Sequence, residues 1–373
     1  MPFTSLSAVK HRIRVGMPLP FNVRNADHTL LLARGQKVDT QDQLDSLFER
    51  GALVDLLELQ TSSDAIRHAT REQLPRLWIQ CMDRVGQALQ HAPHHGFQGA
   101  LDDATVPVVA LIERDPDLAI FQILRQGAGA QVEYGARRSV NCGITAFLVA
   151  QRLGWDAPAM EKVFKVALTA NLSMLELQGQ LSRQTTEPTQ AQRDLLQNHP
   201  TQSRDLLAQA GITDEDWLQA VAKHHEMEDG SGYPTGCTDV GDLASLVRRA
   251  DVYTSKLASR NHRDALAADQ AGRQMFMEDP GHPMTAALVK EFGIYPPGCC
   301  VRLASGETGI VVQRGPTVTS PIVACLTNAR GAPLGEPLRV DTSNKAHRVE
   351  AIVGERTINA RITAEKLMSL TLR

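Results

Sequence analysis

His224-His225-Glu226, followed by Asp229-Gly230-Ser231-Gly232-Tyr233-Pro234, is the stretch on which the reading of this chain turns. A helical run enters it from Asp216. Trp217, Leu218, Val221, His224 and His225 fall at i, i+1, i+4, i+7 and i+8, the core-facing stripe of an amphipathic helix, so both histidines are expected to face inward. Asp229-Gly230 and Ser231-Gly232 then break the helix, because glycine adopts left-handed backbone angles without a Cβ clash, and Pro234 keeps it from resuming.

Working outward, three more helical stripes carry a polar residue toward the core. Gly154 ends the run from Ser139 to Leu153, and Asp156 with Pro158 starts the next helix. On that helix Met160, Val163, Phe164, Ala167, Leu168, Asn171, Leu172 and Leu175 keep a 3.6-residue period, which places the Asn171 amide on the buried face. Thr189 and Gln192 read as a capping box for a helix that turns Leu195, Leu196 and His199 inward until Pro200 ends it. Leu243, Leu246, Val247, Ala250 and Asp251 put a carboxylate on the core side of a further helix. Buried polar groups need partners. Convergence of Asn171, His199, His224, His225 and Asp251 on one site is the economical expectation, since imidazoles and a carboxylate are the ligand set for zinc, iron or manganese.

The 373 residues carry 39 Lys plus Arg against 42 Asp plus Glu, a formal charge of -3, so no whole-chain field draws the protein to nucleic acid or to an anionic membrane. No run approaches the ~20 apolar residues of a spanning helix, and Met1 to Arg14 lacks an apolar signal region. The six cysteines form no Cys-x-x-Cys pair, which with the missing signal region is the pattern of a reducing, cytoplasmic protein.

Helical patterning runs over residues 62–290. Within it Asp115-Pro116 starts one helix as cap and first residue. His91, His94 and His95 have a spacing that suits a metal on a helix, but Pro93 and Gly96 argue for a loop of solvated histidines. Residues 1–61 read as a small module, with strands at Arg12 to Val15 and Thr29 to Ala33. A helix closes it, capped by Asp39 or Thr40, striped by Leu44, Leu47 and Phe48, and stopped by Gly51. Residues 291–373 read as a β-rich module with strands at Val301 to Leu303, Gly309 to Val312 and Pro321 to Leu326. Turns are expected at Ser305-Gly306 and Arg330-Gly331, with a returning strand and short helix at Thr357 to Leu372. The expected architecture is mainly α, an all-helical domain flanked by small β-rich modules.

The paired histidine, the Asp229-Gly230 pair and the Gly232-Tyr233-Pro234 triplet resemble the signature of the HD-GYP family, bacterial phosphohydrolases that linearise cyclic di-GMP. The resemblance covers roughly Tyr134 to Arg263 and implies an HD-type helical domain. It carries the family's metal ligands onto His199, His224, His225 and Asp251, and its dinucleotide contacts onto Tyr233 and Arg260. Three family elements are replaced. Where the family has an upstream histidine, an adjacent His-Asp pair and a Gly-Lys pair, this chain has Arg138, then Ala170 and Asn171, then Ser173 and Met174.

These replacements remove the charge that a two- or three-metal centre needs, because Asn171 cannot bridge two cations. A guanidinium about 4 Å from a divalent ion costs on the order of 8 kcal/mol at an effective dielectric near 20, against ~10 kcal/mol at the lower end for a good zinc site. Unless Arg138 swings outward, one metal seat is limited. Three histidines can still hold one divalent metal, Fe, Mn or Zn, with an open position. Arg138 and Arg260 are then candidates to hold phosphate directly. The resemblance therefore implies a degenerate HD-GYP domain in cyclic di-GMP signalling, acting by ligand or partner binding with little or no hydrolysis. Its alternatives are a phosphodiesterase running on a reduced metal site and a docking module for a diguanylate cyclase domain.

Overall fold

A computed structural model of the chain describes residues 3–13, 15–55, 62–90, 92, 96–125, 133–258, 265–358 and 370–371. His91, His94, His95, Arg260 and most of the segment from Thr357 to Leu372 lie outside the described residues. The chain divides into two compact units, Met1–Ala69 and Thr70–Arg373, where three segments were expected.

In the first unit β1 (Phe3–Ser5), β2 (Val23–Arg24), β3 (Leu30–Leu32) and β4 (Leu53–Asp55) form an antiparallel sheet in the order β1-β4-β2-β3. Helix α1 (Gln41–Glu49) is capped by the Thr40 hydroxyl, which accepts from the Gln43 amide. Gly51 stops it at φ +65°, a left-handed angle that costs glycine nothing. Leu6, Leu19, Phe21, Val23, Leu44 and Val54 make its core, and α2 (Ser62–His68) ends the unit. Among the described residues of the strand expected at Arg12 to Val15, none lies in a strand. Leu6–Arg12 is instead a 3-10 helix, started by the Ser5 hydroxyl accepting from the Ser7 amide, and it buries Leu6 and Val9, with Ile13 buried at its C-cap.

The second unit is a helical body with one sheet. Its helices are α3 (Leu74–Gln90), α4 (Phe97–Arg114), α5 (Pro116–Leu124), α6 (Tyr134–Arg152), α7 (Ala157–Thr169), α8 (Leu175–Arg183) and α9 (Gln190–Gln209). They are followed by α10 (Glu215–Lys223), α11 (Asp242–Leu257), α12 (Ala268–Glu278) and α13 (Pro283–Phe292). Fifteen of the nineteen residues of α6 are buried, the mark of a helix surrounded on all sides. It packs against α3, α5, α7, α8, α11 and α13. Asp115 caps α5 through the Leu118 amide and Asp156 caps α7 through the Ala159 amide.

Strands β5 (Cys300–Leu303), β6 (Thr308–Gln313), β7 (Ile322–Thr327), β8 (Pro333–Asp341) and β9 (Val349–Ile352) form an antiparallel sheet ordered β8-β7-β6-β5-β9. One face packs Cys300, Ile310, Val312, Ala324 and Leu326 around Phe121 of α5, which explains why the sheet belongs to the helical unit. Strand β8 escapes the sequence reading because Pro333, Gly335 and Pro337 argue against a strand. It sits at the sheet edge, where a missing N–H is tolerated.

Three helix ends differ from expectation. Helix α7 stops at Thr169, so Asn171 is not on its stripe but opens the 3-10 turn Leu172–Met174. Helix α9 continues through Pro200. Helix α10 stops at Lys223, so His224 is its C-cap and His225 lies beyond it.

Candidate metal and ligand site

Two of the three histidine rings are set by a backbone carbonyl. Pro200 has no N–H, so the Leu196 carbonyl four residues back loses its helical partner. The ring of His199 takes that place, with Nδ1 2.6 Å from the Leu196 oxygen. At the end of α10, where the last carbonyls lack intrahelical donors, His224 Nδ1 lies 2.7 Å from the Val221 oxygen. A carbonyl only accepts, so both rings carry their hydrogen on Nδ1, and the neutral rings present bare Nε2 atoms. Those two Nε2 atoms are 3.1 Å apart.

Burial, first of all, and then the neighbouring ring push the pKa of His199 and of His224 down to about 3. His225 is driven down to about 3 by burial and then by His199, Arg138 and Arg248. Three neutral imidazoles with ligand atoms all within 4.8 Å of one another thus face a common point. Two facing lone pairs repel unless a cation sits between them, and cis ligands on an ion 2.0–2.1 Å from each nitrogen stand at about this separation. The carbonyl bond on each Nδ1 is the arrangement that orients metal-binding histidines. The donor set fits one divalent metal.

Asp251, on α11, is not part of the histidine group; its Oδ1 accepts from Arg138 Nη2 at 2.9 Å, and the Asn171 amide stands 3.4 Å from the same oxygen. The Arg138 guanidinium is turned inward, so it stands beside Asp251 where a second ion would need that carboxylate. Both side chains are more than nine-tenths buried. Ala170 is fully buried and Met174 nearly so, and neither offers a ligand atom that suits a hard cation. Ser173 is tied to α9, its hydroxyl 3.1 Å from the His199 carbonyl and 3.0 Å from Ser203 Oγ.

The turn that brings in Tyr233 is pinned by Glu226, which is fully buried and had no assigned role. Its carboxylate accepts from the Thr235 amide and hydroxyl, each at 2.7 Å, and from the Gly236 amide at 2.9 Å. At Gly232 a Cβ would stand 2.4 Å from the Met227 nitrogen and 2.5 Å from the His225 oxygen, so only glycine passes. Tyr233 then lies stacked on His225, ring centroids 4.6 Å apart and 15° from parallel. Glu228 accepts from Ser245 Oγ, Arg248 and Arg249, binding this loop to the helix that carries Asp251.

A cavity of about 460 Å³ opens over these groups, lined among others by Arg138, Met174, His199, His225, Tyr233 and Asp251. That volume is in the range of small-ligand pockets. His224 is fully buried and does not line it. Tyr134 and Gln178 also line the cavity. Neither stood out in the sequence, because one tyrosine at a helix start and one glutamine within a helix carry no signature.

The chain matches the HD domain family model over residues 129–275. It is 27% identical over 278 residues to the cyclic di-GMP phosphodiesterase PA4108 of Pseudomonas aeruginosa, an alignment covering 73% of this chain and 64% of that protein. It is 27% identical over 134 residues to the cyclic di-GMP phosphodiesterase response regulator RpfG of Xanthomonas campestris pv. campestris, covering 34% of each. This chain therefore spans less than two thirds of either relative. Among solved structures, the HDG"Y"P protein Bd1817 of Bdellovibrio bacteriovorus superposes with a TM-score of 0.49 at 16% identity, over 78% of this chain and 98% of that one.

Proposed function

We propose that this chain is an HD-GYP domain protein, a reading supported by the HD domain match over residues 129–275 and by the likeness to a cyclic di-GMP phosphodiesterase, and that it serves cyclic di-GMP signalling by holding the dinucleotide over a one-metal centre, with little or no hydrolysis. The relatives' activity on cyclic di-GMP supports the ligand class. The observation that carries the non-catalytic reading is the Arg138–Asp251 pair at 2.9 Å. Asp251 lines the cavity with His199 and His225, and with its charge taken by a guanidinium it neither bridges two ions nor serves as a ready base.

His199, His224 and His225 would hold the metal. When bound, it supplies a Lewis acid for a phosphoryl oxygen. The rest is done by the chain. Arg138 has an Nε–H without a partner among the described residues, so it can turn a donor to a phosphate oxygen while Nη2 stays on Asp251. Tyr233, stacked on His225, lines the same cavity. This inward placement favours a ligand over the reading in which the Gly232-Tyr233-Pro234 turn docks a diguanylate cyclase domain. Arg260, outside the described residues, is the second phosphate contact that the family pattern implies.

Elemental analysis after loading with manganese, iron or zinc in turn should give about one ion per chain. Calorimetry should register cyclic di-GMP binding, weakened roughly tenfold or more in Arg260→Ala, because a charge-assisted hydrogen bond contributes about 1.5–3 kcal/mol. Chromatography should show no linearised product. Robust turnover that His225→Ala abolishes, with two or more ions per chain, would overturn the reading in favour of a phosphodiesterase.

A further inference from the structure

Two further polar side chains line the same cavity without partners among the described residues. The first turns of α6 and α8 touch backbone to backbone, since a Cβ on Gly135 would stand 2.2 Å from the Leu175 oxygen. That contact brings Tyr134, next to Gly135, and Gln178, three residues after Leu175, to one wall of the cavity. Gln178 is 5% exposed, and among the described residues neither its Oε1 nor its Nε2 has a hydrogen-bond partner; the Tyr134 hydroxyl is buried and likewise without a partner among them. Buried amides are nearly always paired, because leaving both ends unmet forfeits their hydration for nothing. The cavity that both residues line is where groups to meet them can come from.

A carboxamide offers a donor and an acceptor side by side in one plane, which matches a nucleobase edge and not a phosphate. We infer that Gln178, backed by the Tyr134 hydroxyl, is a specificity-determining residue that pairs with the O6 and N1–H edge of a guanine. Nε2 donates to O6 and Oε1 accepts from N1–H. This rests on the reading of the cavity as a cyclic dinucleotide site. It divides the ligand between two groups, phosphate at Arg138 and base at Gln178.

The test is calorimetry on the full metal-loaded chain with cyclic di-GMP and cyclic di-IMP, whose hypoxanthine keeps O6 and N1–H but lacks the 2-amino group. Wild type should bind the two alike. Gln178→Leu should weaken both by about tenfold or more, with unchanged metal content. Gln178→Glu, close in shape, offers acceptors only and pairs with N1–H and the 2-amino group, so it should prefer cyclic di-GMP by about tenfold. A merely structural glutamine would not move that ratio. Unchanged affinity in Gln178→Leu, or an unchanged ratio in Gln178→Glu, overturns the assignment of Gln178 while leaving the site reading in place. Failure of wild type to bind either dinucleotide overturns both.

Discussion

At the residue scale the decisive pairing is Arg138 with Asp251, two side chains 113 positions apart that meet at 2.9 Å in the interior. A buried ion pair is weak evidence for stability, but breaking one leaves an uncompensated charge. Arg138→Ala should therefore cost the metal-free chain about 3–5 kcal/mol in urea unfolding. Manganese should restore part of that loss, because the freed Asp251 carboxylate can then face a cation. A variant as stable as wild type without metal would show that Asp251 is satisfied some other way, and Asn171, 3.4 Å from the same oxygen, is where to look.

At the element scale helix α9 holds a proline in its interior, a residue that removes a backbone bond and strains the turn before it. Here the vacated Leu196 carbonyl is what fixes the His199 ring, 2.6 Å away. Pro200→Ala should restore the backbone N–H, which competes for that carbonyl. The metal-free helix gains, so thermal unfolding should move up, while metal affinity measured by chelator competition should fall about 10- to 100-fold, the usual cost of removing a partner that orients a ligand histidine. A rise in both quantities would mean that Pro200 plays no part in setting the ring.

On the scale of the whole molecule the sheet is not an appendage. Phe121 of α5 is fully buried among Cys300, Ile310, Val312, Ala324 and Leu326, and Arg314 on the loop after β6 binds Asp117 of α5 and Glu291 of α13. A chain stopped after Phe292 would expose that cluster. It should associate or precipitate, read by light scattering, in contrast to the full chain. A soluble monomer with native helix content would separate the sheet from the fold. No helix among the described residues is long and apolar enough to cross a membrane.

The amino-acid sequence by itself determined the mainly helical class, since apolar stripes repeating at the helical period and capping residues such as Thr189 and Asp156 act within a few positions of one another. It also determined the turn after the paired histidines, because Gly230 at φ +78° and Gly232 in contact with backbone answer to local sterics. The histidines could be singled out as polar residues at apolar spacing, although α7 and α10 end earlier than their stripes suggest. Only the tertiary structure decided which charge Asp251 meets, that Pro200 orients a ring and does not end a helix, and that Gln178 lies unpartnered on a cavity wall. The reason is physical: desolvation and pairing depend on what stands within a few ångströms in space, and here the partners come from α6, α8, α9 and α11, far apart along the chain.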